Sequence, residues 1–294
     1  MGKSVYDAFP EARKVFEEAE SGLPVSITEL CFEVNDETLR RTENTQPAIL
    51  TLSVALYRIL EFRGLIPNWV AGHSLGEYSA LVAAGVLDVA TAAGLVHNRG
   101  RYMQEAIPEG AGAMAAVLGL ENDRVEELCA RFSGKLIAEV ANINAPGQVV
   151  VAGDTEAVDQ LIVEAKEAGA QRTILLNVSA PFHCSLMQPA AERLAIDFAG
   201  LEFGEARFPI VCNVTAAPVT TGAAARAALE RQVTRPVRWS ETLEFLSAQG
   251  VEVFVEVGPG RVLSGLVKRT LGRGVEIYAV DEVEEIEAVL AALG

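Results

Sequence analysis

The sequence predicts an α/β protein whose main body is interrupted by an inserted ferredoxin-like unit, and three observations carry that prediction. Helical and strand periodicities alternate through both ends of the 294-residue chain, as they do where helices flank a sheet. A short apolar run ends in Gly72-His73-Ser74-Leu75-Gly76 and gives way to helical spacing, the pattern of a strand turning sharply into a helix. Between residues 112 and 179 the order becomes β-α-β-β-α-β, the split βαβ unit.

Taken in order, Ala8, Val15, Phe16 and Ala19 are spaced for one helical face. A second helix is expected over 46–62, QPAILTLSVALYRILEF, with Pro47 in its first turn, where the missing N–H costs nothing. PNWVAGHS (67–74) reads as a strand, followed by helices through Ala83 and from Val89 to Ala106. GAMAAVLGL (112–120) is a strand and NDRVEELCARFS (122–133) an amphipathic helix. LIAEVANINAPGQVVVAGD (136–154) gives two strands around an Asn-Ala-Pro-Gly turn. TEAVDQLIVEAKEAGA (155–170) is a helix capped by Thr155, its start favoured by Glu156, and QRTILLNVS (171–179) closes the unit as a strand. A helix over 186–198, the strand FPIVCNV (208–214) and a helix over 223–232 follow. The strand VEVFVEVGPG (251–260), a helix from Arg261 to Thr270 and a last strand–helix pair complete the chain. The expected division is a discontinuous core, 1–110 and 181–294, around an insertion at 111–180.

Half of the residues are hydrophobic, enough for a large core. The balance of 24 basic against 40 acidic residues, net −16, argues against non-specific binding to nucleic acid or anionic membrane. An anionic substrate would need a local arginine or lysine. Cys31, Cys129, Cys184 and Cys212 form no Cys-x-x-Cys pair, so neither a zinc site nor a disulfide framework is expected. The charged, helical N-terminal stretch is unlike a signal peptide. The apolar stretch Ala80–Val96 carries Asp88, Thr91 and glycines, and reads as buried helices. These features predict a soluble, cytoplasmic monomer.

Ser74 sits where a strained turn exposes a nucleophile beside helix N–H groups able to receive an oxyanion. A helix-capping serine between packing glycines is the plainer alternative. A serine needs a base, and the sequence offers His73, His97 and His183. His73 adjoins the turn and is expected to pack away from it, and His97 lies on a predicted helix. His183 stands where the insertion rejoins the core, a boundary at which clefts form, which puts it slightly ahead of His97.

TQPAIL (45–50), GHSLGEYSALVAAGVL (72–87), NRGRYMQEA (98–106), PEGAGAMAAVLGL (108–120) and NINAPGQVVVAG (142–153) continue into SAPFHCSLMQPAAERL (179–194), RQVTRPVRW (231–239) and VEVGPGRVLSGLVKR (255–269). Together these stretches resemble the malonyl-CoA:acyl carrier protein transacylases, acyltransferases of fatty-acid and polyketide synthesis. The resemblance implies an α/β hydrolase-like core with a mainly parallel sheet and a ferredoxin-like insertion. It implies malonyl-CoA and acyl carrier protein as partners and no cofactor, the CoA thioester being a substrate. It makes Ser74 the nucleophile, His183 its general base and then acid, and Arg99 the anchor of the malonyl carboxylate. A planar guanidinium suits that task through two charge-assisted bonds. It assigns an oxyanion-binding N–H to Leu75 and places Gln232 at the site, where a main-chain carbonyl orients the histidine. Phe182 matches a bulky neighbour seen in malonyl-selective members.

The resemblance also implies an N-terminal strand ending in a Gly-Gln-Gly-Ser-Gln loop, whose glutamine N–H completes the oxyanion hole. This sequence begins at MGKSVYDAFPEARKVF, the helix after that loop. Loss of one such donor costs about 2.7–4 kcal/mol, so a catalytically impaired carrier-protein binder stands beside a start set too far downstream. A serine hydrolase or thioesterase of similar fold is the other alternative. Patatin-like lipases use an Asp-Gly pair, absent here, and ordinary α/β hydrolases carry the histidine near the C-terminus. Lys268, Arg269 and Arg273 form the densest basic run, read either as complementing a helix dipole or as a carrier-docking patch.

Overall fold

The computed structural model describes residues 1–178 and 180–294, and its first helices are set by where prolines stop them. Helix α1 (Lys3–Ala8) ends at Phe9, which is extended at φ −119° and ψ 124°, because the residue before a proline is kept out of the α region. Helix α2 (Pro10–Ser21) starts on Pro10 itself. The break resets the apolar face: Val5, Phe9, Ala12, Val15, Phe16 and Ala19 are buried, whereas Ala8, expected on that face, is exposed. Two short helices, α3 (Ile27–Phe32) and α4 (Asp36–Arg40), are capped by the Ser26 and Asn35 side chains.

Helix α5 (Thr42–Phe62) begins a turn earlier than the sequence suggests, so Pro47 lies inside it. Proline has no N–H for the Glu43 carbonyl one turn back. His97 Nδ1 meets that carbonyl at 3.0 Å, which gives His97 a structural task. Leu50, Leu52, Leu56 and Ile59 on α5 are fully buried. Strand β1 (Val70–Ala71), helix α6 (Gly76–Ala83) and helix α7 (Val89–Glu105) follow. The Asp88 carboxylate caps α7 through the Thr91 N–H at 2.7 Å.

The middle of the chain forms β2 (Gly112–Leu118), α8 (Asn122–Cys129), β3 (Ala138–Ala145), β4 (Gln148–Asp154), α9 (Thr155–Glu167) and β5 (Arg172–Leu175). All its pairings are antiparallel, in the order β3-β4-β2-β5. Val117, Val149 and Val151 from the sheet pack with Val125, Leu128, Val158 and Leu161 from the two helices. Helix α8 and strand β5 are shorter than predicted, and Ser179, the expected end of that strand, lies outside the described residues. Thr155 does not cap α9. Its hydroxyl donates to the Gly110 carbonyl at 2.8 Å, and the N-cap position belongs to Asp154, whose carboxylate accepts the Ile137 N–H instead.

The chain continues through a 3₁₀ turn (Ser185–Met187), α10 (Gln188–Ala199), β6 (Ile210–Val211), β7 (Pro218–Val219), α11 (Gly222–Gln232) and α12 (Trp239–Ala248). It ends with β8 (Val253–Val257), α13 (Val262–Leu271), β9 (Glu276–Val280) and α14 (Val283–Leu293). Strands β1 and β6 are parallel, β7 runs antiparallel to β6, and β8 and β9 form a separate parallel pair. Backbone bonds Ile143 N–H to Val237 O and Val237 N–H to Ala141 O, both 2.9 Å, stitch β3 to the segment after α11. No described helix is long and apolar enough to cross a membrane.

Candidate active site

Parallel strands β1 and β6 end side by side, and the segments leaving their carboxyl ends supply Ser74 and Asn213, while Arg99 comes from α7, His183 from the segment after β5 and Gln232 from the end of α11. Ser74 follows β1 with φ 53°, a left-handed conformation that strains a residue bearing a side chain. Gly72 is obligatory: a Cβ there would stand 1.9 Å from the Gly76 carbonyl oxygen. Gly76 is different, since nothing lies within 4 Å of an added Cβ; only one of the two motif glycines answers a steric demand. The turn is held from β6 by Asn213, whose Oδ1 accepts the Ser74 N–H at 2.7 Å while Nδ2 donates to the Gly72 carbonyl at 2.6 Å. The N–H groups of Gly76, Glu77 and Tyr78 bond the carbonyls of His73, Ser74 and Leu75. Leu75 itself is the N-cap residue of α6.

His183 reaches Ser74 from the segment after β5, and it too is left-handed, at φ 61°. Its Nε2 lies 2.7 Å from Ser74 Oγ and its Nδ1 2.9 Å from the Gln232 main-chain oxygen. A carbonyl only accepts, so Nδ1 carries the proton and bare Nε2 accepts from the serine hydroxyl. Burial, then the nearby Arg99 charge, pushes the His183 pKa down to about 3, so the ring is neutral and ready to take a proton. Phe182 packs between the large core and the smaller apolar cluster of Met114, Ala141, Val150 and Ala152 on one face of the four-stranded sheet. His73 turns away, with Nε2 2.8 Å from Asn144 Oδ1 and its ring edge-on to Trp239.

Arg99, on α7, is 1% exposed. Its Nη2 donates to Ser74 Oγ at 3.1 Å and to Gln232 Oε1 at 3.0 Å, and its Nη1 donates to Gln46 Oε1 at 2.7 Å. The guanidinium lies over the Tyr78 ring, 5.6 Å from its centroid. Among the described residues its Nε has no hydrogen-bond partner. A cation in this place is thus held by two neutral amides and a hydroxyl.

Gln232, the last residue of α11, touches every other part of the site. Besides its backbone bond to His183, its side chain accepts from Arg99 and donates through Nε2 to the Ser74 carbonyl at 2.9 Å and to Glu77 Oε2 at 2.7 Å. The structure therefore brings Ser74, His183, Arg99 and Gln232 together, with Leu75 at the helix start beside them. Three residues went unassigned in the sequence: Gln46, Glu77 and Asn213. Glu77 and Asn213 carry a signal, each being a polar or charged group within a run that is otherwise mainly apolar or small, whereas Gln46 ends the polar run 40–46 and carries none.

The basic run lies elsewhere on the surface. Lys268 and Arg269 are exposed in the last turn of α13, and Arg269 Nε reaches the Pro146 carbonyl in the β3–β4 turn at 3.4 Å. A cleft of about 440 Å³ between α8, Ser185 and Arg235 opens behind the His183 segment and does not include Ser74. Among the described residues no cluster of His, Cys, Asp and Glu is arranged to hold a metal.

A family model described as acyl transferase domain matches residues 1–289. The chain is 45% identical over 287 residues to the malonyl CoA-acyl carrier protein transacylase of Escherichia coli (strain K12), covering 97% of this chain and 92% of that protein. With the malonyl CoA-acyl carrier protein transacylase of Bacillus subtilis (strain 168) it shares 42% over 295 residues, 100% of this chain and 92% of the other. A solved malonyl-transacylase in complex with its type II PKS acyl-carrier protein matches with a TM-score of 0.95 at 44% identity, covering 99% of this chain and 94% of that one.

Proposed function

The chain belongs to the acyl transferase family, and from that premise we propose that it carries a malonyl group from malonyl-CoA to the phosphopantetheine thiol of acyl carrier protein through a malonyl-serine ester. The observation that carries this reading is the convergence of a neutral imidazole and a buried guanidinium on one serine oxygen, at 2.7 and 3.1 Å.

In the first half-reaction His183 Nε2 takes the Ser74 proton as Oγ attacks the thioester carbon. The Leu75 N–H, at the start of α6, faces the oxyanion that forms. The tetrahedral intermediate collapses with cleavage of the C–S bond, and the imidazolium returns its proton to the CoA sulfur. A buried imidazolium of such low pKa is a strong acid, well suited to that second task. The second half-reaction is the same chemistry with the carrier thiol as nucleophile and Ser74 as leaving group. Gln232, through its carbonyl, does the orienting that a carboxylate performs in a Ser-His-Asp triad.

Arg99 sets the acyl preference. A malonyl carboxylate gives the guanidinium an anion, whereas an acetyl group leaves a buried cation unanswered, a penalty far larger than a methylene contact. The reaction calls for no cofactor. The antiparallel βαββαβ order supports a ferredoxin-like insertion at 111–180 within a discontinuous hydrolase-like core, 1–110 and 181–294. The four cysteines are free and buried, which suits a reducing cytoplasm.

Intact mass after mixing with malonyl-CoA tests the proposal. The expected result is one malonyl group on the wild type, discharged by holo carrier protein, and none on Ser74→Ala. Release of free malonate without transfer would make the protein a hydrolase, and carrier binding without any adduct would make it a binder.

A further inference from the structure

Glu77 is a buried charge that the reaction above leaves unused. It lies in the first turn of α6, 1% exposed, directly beyond the nucleophile turn. Its Oε2 accepts from Gln232 Nε2 at 2.7 Å and from the Asn213 main-chain N–H at 3.2 Å, with the Cys212 thiol a third donor. Burial raises its carboxyl pKa above the ordinary range, and these donors and the Arg99 charge offset part of that rise. All three contacts donate, which is the surrounding of a carboxylate anion.

We propose that Glu77 is a positioning residue: it fixes the Gln232 amide and balances the Arg99 charge at one remove, leaving the guanidinium open to the incoming carboxylate. The inference rests on the malonyl-transfer reading. A carboxylate in contact with Arg99 would occupy the place the substrate's acid group needs. With no balancing charge at all, a guanidinium this deeply buried would be strongly destabilising. Interposing Gln232 meets both conditions. Its C=O faces the cation and its NH₂ faces the anion, so the amide dipole is aligned with the pair. Flipping the amide would set NH₂ against guanidinium and oxygen against carboxylate, so Glu77 leaves it a single orientation. Because the main chain of Gln232 also holds His183 Nδ1, the same carboxylate steadies the base.

Two substitutions separate charge from shape. Glu77→Gln keeps the volume but removes the anion. Arg99 then attracts anions more strongly, and free malonate, used as a competitive inhibitor and in calorimetric titration, is expected to bind about five- to tenfold more tightly. The Gln232 amide also loses one of its three side-chain partners and is held less firmly by Arg99 and the Ser74 carbonyl alone, so kcat for malonyl transfer falls roughly tenfold. Glu77→Asp keeps the charge and withdraws it by one methylene: malonate affinity stays within about twofold of wild type while kcat falls. A residue that merely fills space would lower thermal stability in both variants and leave malonate binding unchanged, and that result overturns the proposal. Should Glu77→Gln not fold, Glu77→Asp decides alone, since parallel losses of malonate affinity and kcat would overturn it. If wild type takes no malonyl group, the functional reading falls and this inference with it. If wild type is acylated and Glu77→Gln matches it in every measurement, only this inference falls.

Discussion

In the four-stranded antiparallel sheet, β2 and β4 stay in register from Gly112↔Asp154 to Leu118↔Gln148, whereas beneath Ser74 strands β1 and β6 share only Val70↔Ile210 and Ala71↔Val211. The long ladder satisfies its backbone internally and carries an apolar cluster on each face. The short pair releases its chain early, into turns that must be held by side chains. Asn213, Gln232 and Arg99 hold the Ser74 turn, and the left-handed φ angles of Ser74 and His183 fall in segments between elements, His183 in the one that follows β5. Strain persists only where the surroundings over-determine it, and here a web of short polar contacts provides that. Activity and stability should therefore respond to different residues.

The sharpest break is at Arg99. Arg99→Ala is expected to lower kcat/KM for malonyl-CoA by roughly 10²- to 10³-fold, with little loss for acetyl-CoA, because only the diacid uses the cation. Acylation rates of Ser74 with the two thioesters check this. Equal losses for both would mean that Arg99 holds Ser74 Oγ and nothing more.

The converse lies in the four-stranded unit. Leu161 on α9 is fully buried in the cluster beneath the sheet, and Leu161→Ala is expected to cost about 2–5 kcal/mol of stability. Denaturant unfolding measures that loss, while the acylation rate per folded molecule should hold near wild type. A large fall in that rate would show that the two regions are less separate than their construction implies.

A finer distinction comes from pH. An ordinary imidazole is half protonated near pH 6.5, but His183 in the folded protein titrates near 3. Between those values the unfolded chain binds a proton at this position that the native state does not, so stability falls as pH drops through the window. Activity behaves oppositely: the base stays neutral, and kcat/KM should persist well below pH 6.5 for as long as the protein remains folded. An acid limb near 6.5 in the acylation step would contradict the burial of His183. His183→Gln should flatten the stability slope over the same window.

The same contrast explains what could be read in advance. The elements from β2 to β5 were legible almost one by one, because period-2 and period-3.6 patterns over seven or more residues leave few alternatives; the errors there, Thr155 as a cap and the lengths of α8 and β5, are terminal ones. In the core, β7 and α12 went unforeseen, and a two-residue strand has no period to detect. Pro47 reads as a helix start on local rules alone; only the distant His97, which fills the carbonyl it leaves open, makes an interior position tolerable. At the site, Ser74 was visible as a motif, and His183 rose above His97 only by its place at a boundary. Arg99 and Gln232 came from resemblance, since nothing local marks them. Glu77 shows the limit most clearly: it stands inside the serine motif's own helix, and its role depends on a partner 155 positions away.

The smallest expected effect lies at the surface joining the two regions. Lys268 and Arg269 stand in the last turn of α13, where positive charge complements the helix dipole, and Arg269 also reaches Pro146 in the β3–β4 turn. An acidic carrier protein approaching a chain of net charge −16 is repelled at long range and needs a local positive patch to dock. Reversing both charges, Lys268→Glu with Arg269→Glu, is expected to raise the KM for carrier protein by about threefold to tenfold at low salt and less at high salt. Hydrolytic and CoA-exchange half-reactions, which do not involve the carrier, should be unchanged. If carrier KM does not move while the melting temperature drops, the two residues serve the helix end alone, and the docking surface must be sought on the four-stranded unit itself.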